Sequence, residues 1–172
     1  MRTRRSLLAS GVAGLAGVAG CAALPSGRRT GDWADRDELD AADVDARIGF
    51  VGDCMLGRSV TERWVDDDPA AVWGSTLPRL EALDGLVANL ECCVSDRGTR
   101  WPDKVYYFRS DPDFAIPALE AADASFVSLA NNHILDYREP ALRDTRTHLR
   151  DADIAHAGAG RDLEAALDPA VF

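Results

Sequence analysis

The sequence predicts an α/β fold built on a largely parallel sheet. Three observations carry that expectation. Short apolar runs, IGFV (48–51), GLVA (85–88) and FVSLA (126–130), read as buried strands. Segments of helical spacing separate them, and each run stops abruptly on polar residues. Parallel strands deliver their carboxyl ends to one edge of such a sheet, so these polar clusters should meet there.

Residues 1–21 stand apart from this pattern. The apolar run from Leu7 to Cys21 is shorter than the roughly 20 residues that a spanning helix needs, and it has the length of a signal-peptide core. Paired Arg4 and Arg5 resemble a twin-arginine export signal. VAGC (18–21) resembles a lipobox, in which Cys21 becomes the lipidated first residue. A lipoprotein signal over 1–21 is expected, with an ordinary secretory signal or a loose helix as the alternative. The expected location is the outer face of the cytoplasmic membrane, with the lipid as anchor. Residues 22–47 combine Pro, Gly, Ser and many acids with few large apolar side chains, which reads as an acidic tether.

Charge narrows the partners. The net charge is −10, and Arg2, Arg4 and Arg5 are three of the 19 basic residues, so beyond the signal 16 bases face 29 acids, a balance near −13. Lys104 is the single lysine. Such an Asp-rich, Lys-poor surface suits solubility at high salt. It argues against a nucleic-acid partner, because binding a phosphate backbone requires a basic stripe.

From Ile48 onward the elements follow in order. RIGFVGD (47–53) is the first strand, ending at Gly52-Asp53. GRSVTERWVDDDP (57–69) places Val60, Trp64 and Val65 at helical spacing and stops before Pro69. LEALDGLVANLE (80–91) gives a helix end and a second strand near Leu86 to Leu90. KVYYFRS (104–110) reads as a third strand, at an edge. DPDFAIPALEAA (111–122) is a helix with Asp111 as cap and Pro112 at its first position. ASFVSLA (124–130) is a fourth, buried strand. EPALRDTRTHLRDA (139–152) is amphipathic through Leu142, Thr145 and Leu149, and DIAHAGAG (153–160) adds a further strand.

Three strand ends then demand comparison: Gly52-Asp53, Asn89-Leu90-Glu91 and Asn131-Asn132-His133. Taken singly, each has an ordinary reading. Gly-Asp is a common turn, Asn caps loops and helices, and a lone histidine is most often structural. Taken jointly at successive buried-strand ends, they offer two carboxylates, amide oxygens and an imidazole. That donor set suits Zn, Mn or Fe, and its oxygens suit Mg. Asp136 stands where it could accept the second ring N–H of His133 and fix its tautomer.

FVGDCMLGR (50–58), VANLECCVS (87–95), FVSLANNHILDYREPALRDT (126–145) and AHAGAG (155–160) together resemble the CapA-type poly-gamma-glutamate capsule biosynthesis proteins, a branch of the calcineurin-like metallophosphoesterase superfamily. The resemblance extends from Ile48 to Phe172. It implies a layered α/β metallophosphoesterase-like sandwich with a centre of two divalent metal ions at the strand ends. Asp53, Glu91 and Asn132 would be metal ligands, and His133, oriented by Asp136, would assist the leaving oxygen. Asn89 and Asn131 would support the ligands, and Arg58 would meet an anionic substrate, whether a phosphoester or an anionic polymer. The implied partners are the membrane and components of polyglutamate synthesis or export. The implied activity is phosphoester hydrolysis, with accessory polymer handling or an inactive fragment as alternatives.

Relatives of this kind continue past this length and supply further histidines, whereas His133, His148 and His156 are the three present here. The chain therefore reads as the N-terminal half of the sandwich, and the face that the second sheet would cover should be apolar and exposed. His148 falls mid-helix and His156 on a strand. Cys54, Cys92 and Cys93 adjoin the candidate ligands, and buried free thiols are expected there, with a disulfide or soft-metal ligation as alternatives.

Overall fold

The computed structural model describes residues 46–172. The expected signal over 1–21, the lipid site at Cys21 and nearly all of the tether lie outside the described residues. Along the chain run β1 (Ile48–Cys54), α1 (Ser59–Trp64), a 3-10 helix (Pro69–Thr76), α2 (Leu77–Leu80), β2 (Gly85–Leu90) and β3 (Cys93–Val94). There follow β4 (Arg109–Ser110), α3 (Pro112–Ala121), β5 (Ala124–Ser128), α4 (Arg138–Asp151), β6 (Ala155–Ala157) and α5 (Leu163–Leu167).

The main sheet has the order β1-β2-β5-β6, with every neighbouring pair parallel, as the alternation of strand and helix predicted. Period-two alternation decides its faces. Leu86, Ala88 and Leu90 of β2 are buried, while the intervening Val87 and Asn89 are half-buried. The buried set meets Val127 and Leu129 and packs with Phe114, Ala118 and Leu119 of α3 and Leu142 and Leu149 of α4. Each such large apolar side chain contributes about 1.5–3 kcal/mol by leaving water.

Local chemistry sets the helix ends. Asp111 accepts from the Asp113 N–H at 2.9 Å, and Pro112 fills the first helical position, where its missing N–H costs nothing. On α4, Ala141, Leu142, Thr145 and Leu149 form one buried stripe. Thr145 also ties that helix to β3, its hydroxyl accepting from the Val94 N–H at 2.8 Å.

Among the described residues little covers the other face of the main sheet. Phe50, Val87 and Phe126 are register neighbours across β1, β2 and β5, and Phe50 is 77% exposed. Phe126 is shielded in part by Phe172, the two rings stacking with centroids 5.4 Å apart.

Two expectations need correction. KVYYFRS is not a strand of the main sheet: Arg109 and Ser110 alone are extended within it, and they pair in parallel with Cys93 and Val94 in a separate two-stranded sheet. The polar groups of residues 104–108 are engaged elsewhere. The Phe108 N–H donates to Asp136 at 2.7 Å, Lys104 bonds the Asn132 carbonyl at 2.6 Å, and the Tyr107 hydroxyl donates to the Trp101 carbonyl at 2.7 Å. The helix expected up to Pro69 ends at Trp64, and Asp68 instead caps the 3-10 helix by accepting from the Ala70 N–H at 3.0 Å.

Cys54, Cys92 and Cys93 are buried free thiols. Burial pushes the Cys54 thiol up to about 11 and those of Cys92 and Cys93 to about 12, so none is a ready thiolate nucleophile. His148 and His156 are both half-buried.

Candidate functional site

Register brings the strand ends together. Asp53 at the end of β1 is the register partner of Asn89 on β2, which in turn is the partner of Ser128 on β5. The Asn89 side-chain amide donates to Asp53 Oδ1 at 2.8 Å and to Glu91 Oε2 at 2.5 Å. One amide thus stands between two carboxylates. Its own oxygen accepts from Asn131 Nδ2 at 3.0 Å, which fixes its orientation. Asn131 also donates to the Leu90 carbonyl at 2.8 Å and accepts the backbone N–H groups of His133 and Ile134, both at 3.0 Å. Asn131 is therefore the brace that folds the loop after β5 over the end of β2.

That loop presents His133. Its Nδ1 lies 2.7 Å from Asp136 Oδ2, and a carboxylate partner there keeps the proton on Nδ1 and leaves Nε2 free. Nε2 points toward Glu91, 3.9 Å from Oε1. Asp136 is fully buried, yet its charge is matched: it also accepts the Phe108 N–H and pairs with Lys104. Phe108 stacks on the imidazole with ring centroids 3.9 Å apart and the planes inclined by 23°. The ring of His133 is thus held at its edge by Asp136 and on its face by Phe108.

The expected residues do not all converge. Asp53, Asn89, Glu91, Asn131, His133 and Asp136 form one connected polar cluster. Asn132 is exposed, and its carbonyl, not its amide, makes a contact, with Lys104. Arg58 stands off from the carboxylates, its guanidinium 5.7 Å from the Phe108 ring centre, on the side of that ring's neighbours Tyr106 and Arg109. Lys104 and Phe108 were not foreseen as site residues. Lys104 had one signal available, its being the single lysine of an arginine-rich chain; Phe108 had none, because its role depends on a loop contact distant in sequence.

Among the described residues no group of three His, Cys, Asp or Glu side chains is close enough to enclose an ion. Asp53 and Glu91 are nevertheless drawn to one amide, and among the described residues neither carboxylate has an Arg or Lys ion-pair partner. Two like charges gathered at an open strand end, beside the free nitrogen of an imidazole, fit part of the coordination shell of a hard or borderline divalent ion.

Comparison with known proteins gives a consistent result. The sequence model of a family described as bacterial capsule synthesis protein PGA_cap matches residues 47–172. A "Probable polyglutamine synthesis accessory protein" of Mycobacterium tuberculosis is 42% identical over 96 residues, covering 55% of this chain and 25% of the relative. The capsule biosynthesis protein CapA of Bacillus anthracis is 29% identical over 122 residues, covering 67% of this chain and 28% of its own. The PGA biosynthesis protein CapA of Bacillus subtilis is 25% identical over 115 residues, covering 66% and 30%. The chain thus spans between a quarter and a third of the length of these relatives. The family match takes in every element from β1 to α5 and every residue of the polar cluster, and the chain belongs to the PGA_cap family of bacterial capsule synthesis proteins.

Proposed function

We propose that this chain carries part of a metal-dependent phosphoesterase-type site in a protein of poly-gamma-glutamate capsule synthesis, exported and anchored to the membrane through Cys21. The observation that supports it is the single Asn89 amide held between Asp53 and Glu91, with His133 Nε2 3.9 Å from the second carboxylate. Asp53, Glu91 and the amide oxygen of Asn132 would hold an ion such as Mn, Zn, Fe or Mg, and a second ion would draw ligands from beyond this set. Bound there, such ions supply Lewis-acid polarisation of a phosphoryl oxygen and an activated water.

The protein's own residues account for the rest. Asn89 and Asn131 keep the two carboxylates and the loop after β5 in register. His133 in its protonated form would pass the Nε2 proton to the leaving oxygen, and the buried Asp136 would stabilise the resulting charge changes on the ring. Lys104 neutralises Asp136 in turn. Arg58 would face the anionic substrate.

A second reading, accessory handling of the polymer beside synthase or export components, is favoured by the name of the mycobacterial relative. Hydrolysis of an aryl phosphodiester in the presence of Mn²⁺ separates the two. The enzyme reading expects turnover by the wild type and a loss of at least about 100-fold in His133→Ala, the range over which a general acid acts. Equal rates in both proteins, or none above the buffer, would leave the accessory reading.

A further inference from the structure

A second feature lies near Phe108, the ring on which His133 stacks and from whose centre Arg58 is 5.7 Å away. A cavity of about 550 Å³ is lined by Arg58, Arg100, Arg109, Tyr106, Tyr107 and Tyr137, with Glu62 as its one acidic side chain. In a chain with 29 acids and 19 bases, three arginines around one cavity form a local reversal of charge. Among the described residues Arg63, Arg97, Arg143, Arg150 and Arg161 are ion-paired to carboxylates, and the three arginines of the cavity are not. They rest on aromatic rings instead. Arg58 lies 5.6 Å from the Tyr106 ring centre, Arg100 5.0 Å from Tyr107, and Arg109 4.0 Å from Tyr137.

Arg109 gives one donor to the Arg97 carbonyl at 3.4 Å, while Arg100 bonds Tyr137. A guanidinium stacked on a ring holds its planar fork of N–H donors oriented and partly dehydrated. That is the state in which it accepts a carboxylate in bidentate geometry at small entropic cost. The backbone reinforces the arrangement. Arg58 has φ +55°, a region that side-chain-bearing residues seldom adopt, and at the preceding Gly57 a Cβ would stand 2.5 Å from the Arg109 carbonyl oxygen. The hydroxyls of Thr61 and Ser110 both bond the Leu56 carbonyl, at 2.5 and 2.8 Å, tying α1 to β4. The cavity is thus a braced junction of α1, β4 and the 97–108 segment.

We propose that this cavity is a subsite for an acidic chain, whose successive carboxylates pair with Arg58, Arg100 and Arg109 while the tyrosines line its path. Its volume falls within the range of small-molecule sites and admits a short segment with more than one carboxylate. Phe108 joins the two regions, with His133 stacked on it and Arg58 5.7 Å from its centre, so a chain seated here lies next to the strand-end cluster. The assignment rests on the capsule-polymer reading above, but its test does not need the metal.

The experiment is calorimetric titration of the full chain with γ-linked hexaglutamate in EDTA at low salt, with tripolyphosphate as the alternative oxyanion. Saturable binding of hexaglutamate is expected, weakened at least ~10-fold in each of Arg100→Gln and Arg109→Gln and by less than about twofold in the exposed control Arg143→Gln. Circular dichroism on each variant checks that the fold is kept. Unchanged affinity in both cavity variants, equal weakening in the control, no binding of hexaglutamate, or binding of tripolyphosphate alone would each overturn the proposal. Because EDTA is present, failure here leaves the metal reading standing, and failure of the metal reading leaves this result intact.

Discussion

His133 Nδ1 lies 2.7 Å from Asp136, a carboxylate without solvent exposure that also accepts the Phe108 N–H and pairs with Lys104. One buried acid therefore ties the loop after β5 to the 97–108 segment at two points, Lys104 and Phe108. Truncating it strands a backbone donor and an ammonium. Asp136→Ala is expected to lose about 3 kcal/mol of stability, the lower end of the cost of breaking a buried pair. Lys104→Met should lose less, about 1–2 kcal/mol, because Asp136 keeps two donors. Urea denaturation measures both, and an unchanged midpoint in Asp136→Ala would contradict this role.

The pH dependence of stability should carry a signature of His156. Burial holds its imidazole below the ordinary 6.5, with Arg146 and Arg150 pushing the same way and the Ile154 carbonyl opposing. The folded form binds a proton less readily than the unfolded form, so this contribution is fully present above about pH 6.5 and is lost as pH falls through the lowered folded value. The melting temperature is expected to fall on acidification across that window, with a shallower fall in His156→Asn. Parallel profiles for the two proteins would refute the assignment.

The uncovered sheet face predicts self-association. Phe50 is 77% exposed and next in register to Val87 and Phe126. Phe50→Ser should reduce the association seen by light scattering while changing stability by no more than about 0.5 kcal/mol, as at other surface positions. Undiminished association would show that this face is not the one that pairs.

Much of this molecule was legible because its signals are local. Asp111-Pro112 marks a helix start through capping chemistry, and the runs ending at Asp53, Glu91 and His133 mark strand ends by an abrupt change of polarity. Their convergence followed from the parallel connection rule. What could not be read depended on contacts distant in the chain. KVYYFRS has the composition of a strand, yet Asp136, 28 residues beyond Phe108, engages the donor that a sheet ladder would have used. The division of labour between Asn89 and Asn132 was equally hidden. Asn132 is an expected ligand and Asn89 its expected support, and only the register placing Asn89 beside Asp53 makes it the bridging amide.

The central claim is that Asp53 and Glu91 are gathered by Asn89 to hold a divalent cation, and elemental analysis of the purified chain from Ala22 onward tests it most directly. The account predicts a stoichiometric transition metal in the wild type, falling to about a tenth or less in Asp53→Ala. Metal absent from both proteins, or retained equally by both, would contradict it.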